Sequence, residues 1–426
     1  MRVLFACPPF FGLHYPMVPL AHALRSAGHD VLVATCGAAR EQLAHAGLLT
    51  VDCAPGADPD AVYRRMERDR QGRKPPAPGE AGAAPKGKGF SFFSDEMADR
   101  MTEVALAWRP DLVVHPPIGV VGQLVAARLG VPSVLHAVGF GHTSAHVGMV
   151  NNALADAYER HGLPGPDPVA AWLDIAPTSM STTDEPRRWF MRYVPFNGGA
   201  ELPGWLLEPR TRPRVAVTLG TVQPVVDGIS PLHGVVAAAR ETDAEFVLAL
   251  GGSDLSELGT LPDNVRPLDW IPLGALLAAS DGAIHHGGAG TTLTALDAGV
   301  PQLVLGQGAD RPANAAAVAG RGCGLVPDSP TASTRSSSRG CSPTRPCGPP
   351  HGTSPARWRP CPAPRRPCHA SSSWRAPTVT CDDRHGDGHR PARGFHSEHS
   401  RVRPPGARRQ PLRGTAARTA RHHTGR

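Results

Sequence analysis

The chain has 426 residues, 41% of them hydrophobic and 19% charged, and carries a formal net charge of +7. That length accommodates two domains with full cores, and no apolar run reaches the roughly 18–20 residues a membrane-spanning helix needs, which excludes a helical membrane protein. The charge divides into +15 over residues 329–426 and −8 before them, so the apparent basicity belongs to the tail, and neither nucleic acid nor membrane is an expected partner.

The N-terminal "RVLFAC" reads as a first core strand, not as a secretory leader, because it lacks a cationic start and a cleavage site. The expected compartment is the cytoplasm. "MVPLAHALRSAG" has the period of a helix closed by Gly28, and "DVLVATC" is the next strand. The charged, Pro- and Gly-rich "RRMERDRQGRKPPAPGEAGAAPKGKG" reads as a long surface loop. Strand "DLVVH", helix "GQLVAARLG" and strand "PSVLHAV" follow. The Pro, Gly and Asn of "VPFNGGAELPGWLLEPRTRP" mark a linker.

Beyond it the alternation restarts with strand "RVAVTLG", helix "PLHGVVAAARE" and strand "AEFVLALGG". "NVRPLDWIP", helix "LGALLAAS", strand "GAIHH", helix "TTLTALDAG" and strand "PQLVLG" complete the series. Strands that are near-continuously apolar and alternate with helices imply parallel sheets covered on both faces. The expected fold class is α/β, two Rossmann-like parallel-sheet domains facing a cleft. The expected boundaries are 1–195 for the first domain, 196–213 for the linker and 214–328 for the second domain, truncated. Residues 329–426 form a tail.

That tail changes composition abruptly after "GCGLVPD". Its only Val, Leu, Ile, Phe or Met residues are Val379, Phe395, Val402 and Leu412. Such a segment cannot bury enough apolar area to offset its ordering entropy, so it is expected to be disordered. Its five cysteines lie at irregular spacings without CxxC pairs, so no zinc site and no disulfide framework is expected. A shifted reading frame near Asp328 explains the Pro, Arg, Ala, Gly and Ser bias.

The chemistry concentrates in "AIHHGGAGTTLTALDAGVPQLVLG", residues 283–306. Two histidines end a strand and abut a glycine-rich turn that opens a helix. A helix N-terminus offers unpaired N–H groups and about half a positive charge. Gly287, Gly288 and Gly290 would let a phosphate approach the backbone, with Thr291 and His286 as side-chain donors. This is the pattern of a diphosphate site.

"HHGGAGTTLTALDAGVPQLVL" resembles the donor-binding signature of nucleotide-sugar glycosyltransferases of the GT-B fold, nearest to the bacterial enzymes that decorate macrolide, aromatic polyketide and enediyne natural products. "YPMVPLAHALRSAGHDVLVAT", "RYVPFNGGAELPGWL" and "PRVAVTLGTV" agree with it. The resemblance covers residues 1–328. It implies an inverting transfer of a sugar, with a dTDP-linked deoxyhexose as the expected donor, to a hydroxyl of a hydrophobic antibiotic-type aglycone. The nucleotide-sugar is a co-substrate, and no cofactor and no metal is expected; some relatives require an auxiliary activator protein.

By the same resemblance, His286 contacts the α-phosphate, and Gly288 to Gly290 with Thr291 complete the cradle. Thr221 touches the diphosphate, Trp270 lies beside the nucleobase, and Ile271 pairs with its edge through backbone groups. Asp310 binds sugar hydroxyls, assisted by Asn314. Arg311 stands where the family commonly has Gln. His14 is the candidate base, since an imidazole can take the acceptor hydroxyl's proton during attack. Where relatives have an Asp to steady that His, "VVHPP" offers His115; Asp95 and Glu96 are other candidates. Phe90, Phe92, Phe93, His136, Phe140 and His142 are the candidate lining of an apolar acceptor pocket, with ordinary packing as their other reading. Two alternatives stand beside the transferase: a catalytically inactive or unstable product of a frameshifted gene, and a nucleotide-sugar 2-epimerase on the same fold.

Overall fold

Strand β1 (Arg2–Ala6) pairs in parallel with β2 (Asp30–Thr35) on one side and β4 (Leu112–His115) on the other. The strands are short and almost wholly buried, as crossover helices on both faces require. With β3 (Thr50–Asp52), β5 (Ser133–His136), β6 (Ala171–Asp174) and β7 (Arg188–Phe190), they form a seven-stranded sheet of order β3-β2-β1-β4-β5-β6-β7. The computed structural model describes residues 1–58, 91–141, 144–181, 185, 187–226, 228–306, 308 and 310–327. Residues 59–90, which include the expected surface loop and Phe90, therefore lie outside the described residues, as do His142 and the tail from residue 328 onward.

A second parallel sheet holds β8 (Arg214–Thr218), β9 (Glu245–Ala249), β10 (Val265–Leu268), β11 (Gly282–His285), β12 (Gln302–Val304) and β13 (Gly324–Leu325). Its order is β10-β9-β8-β11-β12-β13. The short strands β3, β6, β7, β10 and β13 go beyond the strands expected from the sequence. Gly28, with φ of 84°, follows the helix Val18–Ser26 at the position expected to close it.

Both sheets belong to one compact unit. Val3, Leu4, Phe5, Phe93, Met97 and Leu124 are among the core of the first sheet, and Val217, Leu232, Leu248 and Val235 among that of the second. An apolar cluster joins Phe140, Ile175 and Met180 from the first half to Leu293, Val304 and Val318 from the second. The hydroxyl of Tyr193 adds a polar tie, 2.9 Å from Thr294 Oγ1 and 3.3 Å from the Gly290 carbonyl. In the linker, Trp205 is flanked by the guanidinium groups of Arg214 and Arg266, 4.7 and 4.5 Å from its ring centre, which fixes its approach to the second sheet. At the edge of the first sheet, Arg188 of β7 pairs with buried Asp174 of β6. No helix among the described residues is long and apolar enough to cross a membrane.

Candidate active site

Strand order reverses direction between β8 and β11, and open α/β sheets bind ligands in the crevice at the carboxyl ends of such a pair. Thr218 and His285 are register partners there, and the His286 N–H donates to the Thr218 carbonyl at 3.3 Å. Two turns leave this point. One carries Gly220 and the exposed Thr221; the other carries Gly287 and Gly288 into the helix Ala289–Asp297.

The imidazole of His286 lies between these turns. A Cβ on Gly220 would stand 2.6 Å from its Cε1, and one on Gly288 would overlap Nε2 and stand 2.9 Å from Cε1. Gly287, with φ of +87°, is pressed against Val304, where a Cβ would meet Cγ1 at 2.9 Å. Gly290 has open space where its Cβ would be. The three glycines expected to clear room for a phosphate thus differ in what their missing side chains leave open. Gly287 and Gly288 make room for the protein's own side chains, and Gly290 alone faces open space.

The helix Ala289–Asp297 starts without a side-chain cap and without an acid in its first turn. Its geometry leaves the N–H groups of Ala289, Gly290 and Thr291 without intrahelical acceptors, half-exposed beside His286. Burial, then the proximity of His285 and Arg311, holds the His286 imidazole well below its usual pKa of 6.5, so it is neutral at pH 7. Its Nδ1 is buried and meets no partner of hydrogen-bond geometry, although the Thr218 carbonyl is near enough to favour the charged form. His285 has a structural role. Its Nδ1 accepts the Gly287 N–H at 3.0 Å, which leaves Nε2–H to donate to Gln302 Oε1 at 2.8 Å.

Asp310 is exposed at the head of the helix Arg311–Arg321. Asn314 is buried, and its amide donates to the Gly287 carbonyl and to Asp310 Oδ2, both at 2.9 Å. Asn314, expected to assist with the sugar, thus has its amide N–H groups engaged in bracing the turn. Arg311 Nη1 donates to Gln223 Oε1 at 3.3 Å. Gln223, Gly220 and Tyr193 are site neighbours that the sequence reading did not assign; the "TLGT" and "RYVPFNGG" stretches carried a signal for the last two, and nothing pointed to Gln223.

Trp270 is 44% exposed, with its ring 5.9 Å from that of Phe11 and beside Gly198. Ile271 is buried among Leu276, Leu277 and Ala295, and its backbone groups enter none of the described hydrogen bonds. A cavity of about 490 Å³ lies between the linker and the second sheet's helices, lined by Pro195, Asn197, Gly274, Thr294 and Asp297; it touches none of the residues expected from the sequence.

His14 ends the short helix Phe11–His14, not a loop, and is 1% exposed. Its ring packs 5.5 Å from Phe11 and 4.9 Å from Tyr15. Burial lowers its pKa to about 4, opposed by the nearby Gln42 side chain and Pro8 carbonyl, although neither ring nitrogen meets hydrogen-bond geometry. Among the described residues no acid is hydrogen-bonded to it: Asp95 is ion-paired to Arg160, 3.1 Å away, and Glu96 is exposed. His115 and His136 each place Nδ1 against a backbone carbonyl, that of Pro116 at 3.1 Å and that of Ala137 at 2.7 Å. A carbonyl only accepts, so Nδ1 carries the proton and Nε2 is a bare, buried acceptor in both. Of the expected acceptor lining, Phe93 is core, packed edge-on to Phe10, and Phe140 belongs to the cluster joining the two halves. His136 is fully buried and Phe92 half-buried against the core. Phe93, His136 and Phe140 are therefore closed in by packing, the other reading their residue types allow.

Models of the erythromycin biosynthesis protein CIII-like family match this chain, the N-terminal domain over residues 22–220 and the C-terminal domain over residues 233–342. The chain is 40% identical over 344 residues to the elloramycin glycosyltransferase ElmGT of Streptomyces olivaceus, covering 78% of this chain and 88% of that one. It is similar to the Streptomyces sp. SF2575 glycosyltransferase SsfS6 complexed with thymidine diphosphate, with a TM-score of 0.63 and 31% identity over 76% of this chain and 87% of that one. The spinosyn rhamnosyltransferase SpnG complexed with spinosyn aglycone gives a TM-score of 0.63 and 29% identity over 76% and 86%.

Proposed function

This chain belongs to the erythromycin biosynthesis protein CIII-like family of antibiotic glycosyltransferases with the GT-B fold, and from that premise we propose the donor, the acceptor and the roles of the residues. The donor is a thymidine-diphosphate deoxysugar and the acceptor a hydroxyl of a hydrophobic antibiotic-type aglycone. Transfer proceeds by a single in-line displacement with inversion at the anomeric carbon, in the cytoplasm.

One observation carries this reading: the uncapped helix start at Ala289–Thr291 beside His286, at the carboxyl ends of β8 and β11. Thymidine diphosphate is the ligand complexed with SsfS6. Here the diphosphate lies against the N–H groups of Ala289, Gly290 and Thr291, with the Thr291 and Thr221 hydroxyls at its sides. His286, neutral, contributes a hydrogen bond and not a charge. Trp270 offers its half-exposed ring to the base, and Ile271 its backbone. These donors stabilise the charge that grows on the departing diphosphate, where prearranged dipoles are worth most. Asp310 receives the sugar hydroxyls.

His14 accepts the acceptor's proton. Its lowered pKa keeps it unprotonated at neutral pH, the state a base needs. The rings of Phe11 and Tyr15 lie against it, so this role requires them to move aside for the acceptor hydroxyl. The inactive-protein and 2-epimerase readings have no comparable observation in their favour. The test is release of nucleoside diphosphate from dTDP- and UDP-sugars with and without candidate aglycones. Aglycone-dependent release from dTDP-sugars, lost in His286→Ala, is expected. A folded sample that releases none with any donor overturns the proposal.

A further inference from the structure

We infer that Arg311 is the cation of the donor site, its guanidinium supplying the full positive charge that meets the diphosphate. This rests on the donor-site reading above and deepens it. Arg311 opens the helix Arg311–Arg321, and its stem lies on the turn that follows His286: a Cβ on Gly287 would stand 3.4 Å from its own. The backbone is anchored there too, since a Cβ on Gly306 would stand 2.9 Å from the Arg311 carbonyl oxygen. From that fixed base the side chain runs to Gln223, which is buried two residues beyond Thr221 on the opposite turn. The guanidinium thus bridges the crevice from the β11 side to the β8 side, along one wall of the space beside His286.

The charges of the described residues in the crevice leave a ligand diphosphate in need of a cation. A nucleotide-sugar diphosphate brings about two negative charges, and the helix start returns roughly half a positive one. His286 is neutral, and its buried Nδ1 has no partner. Thr221, Thr291 and Gln223 are neutral, and Asp310 adds a negative charge nearby. Arg311 is close enough to act electrostatically on His286. A guanidinium stays charged across the working pH range and presents planar paired donors that fit phosphate oxygens. Gln223 holds that fork ready when the site is empty of ligand, and the phosphate oxygens share it on binding.

The full-length protein, its Arg311→Gln variant and its Arg311→Lys variant are titrated calorimetrically with thymidine diphosphate and with thymidine, in EDTA-containing buffer. Loss of one charge-assisted phosphate contact should weaken thymidine diphosphate binding roughly 10- to 150-fold in Arg311→Gln. Thymidine should bind all three within about twofold, and Arg311→Lys should recover part of the loss because it restores the charge without the fork. Arg311→Gln with diphosphate affinity within about threefold of the parent overturns the inference and leaves the donor site standing. Equal losses for thymidine and its diphosphate also overturn it, since they would mark a packing role. A parent protein that does not bind thymidine diphosphate removes the donor-site reading and this inference with it.

Discussion

The imidazole of His286 rests on the backbone of Gly220, so that a Cβ there would stand 2.6 Å from Cε1. Gly288 closes on the same ring from the other turn, but the two glycines differ in backbone. Gly220 has a φ of +69°, whereas Gly288 has φ −61° and ψ 142°, which any residue adopts. Gly288→Ala therefore tests the collision alone. It should fold with a near-normal melting temperature and bind thymidine diphosphate at least about tenfold more weakly, because the ring must leave its place. Gly220→Ala should in addition lose about 1–2 kcal/mol of stability through its left-handed conformation. In a His286→Ala background the Gly288→Ala effect should vanish, the non-additivity expected of residues in contact. An unchanged titration for Gly288→Ala would show that the position of this ring does not matter to the ligand.

Five buried histidines make stability sensitive to acid. Burial holds His14, His115, His136 and His285 at about 4 and His286 well below 6.5. In the unfolded chain each titrates near 6.5, so the unfolded state binds more protons as pH falls. The stabilising contribution is then complete above about 6.5 and is lost as pH falls from there toward 4. A fall from 6.5 to about 4 corresponds to about 3 kcal/mol per group, and a few such groups rival the 5–15 kcal/mol stability of a typical domain. The urea midpoint should drop steeply between pH 6.5 and 5, with uptake of about three or more protons on unfolding at pH 5. A midpoint that stays flat over that interval would contradict the neutral, buried state assigned to these rings.

If His14 is the base, its lowered pKa dictates the pH profile. The acid limb of kcat/KM should lie near 4 to 5, not near 6.5, and the rate should be level between pH 5.5 and 8. His14→Ala should lose about 10²- to 10⁴-fold in kcat, the usual contribution of a general base, with thymidine diphosphate affinity unchanged. A limb at 6.5 would mean that the ring is exposed in the working enzyme or that another group takes the proton.

The alternation of strands and helices was legible because β1, β4, β5, β8 and β11 are buried on both faces and read as apolar runs. β3, β6, β7, β10 and β13 were not, since two to four residues carry no period, Arg266 and Pro267 interrupt β10, and Asp174 and Arg188 break the apolar pattern with an ion pair formed only after β6 and β7 align. The uncapped helix start was legible in "GGAG", because glycine there and the lack of an acid are local features. Which glycine serves the ligand was not. That depends on Gly220 arriving from 66 residues upstream of His286 to share its ring. Residue type likewise cannot separate a pocket aromatic from a core one, so Phe93 and Phe140 were legible only as large apolar groups. Arg311 and Gln223 stand 88 positions apart, and their pairing exists only in the fold.

Asn314 separates bracing from sugar binding. Its buried amide holds the Gly287 carbonyl and Asp310 Oδ2 together, so Asn314→Ala leaves a carbonyl without its donor and frees the Asp310 side chain. An unsatisfied buried group costs about 1–3 kcal/mol. The melting temperature should fall, and thymidine diphosphate, which lacks the transferred sugar, should bind more weakly because the Gly287 turn relaxes. Asn314→Asp should be worse, since it faces a carboxylate toward a carbonyl and a second carboxylate. A residue that held only sugar hydroxyls would give the opposite pattern: melting temperature and thymidine diphosphate affinity unchanged, with KM for the nucleotide-sugar raised. Thermal unfolding, the thymidine diphosphate titration and the KM for the nucleotide-sugar on one preparation distinguish these outcomes, and the second pattern would place Asn314 in the sugar site.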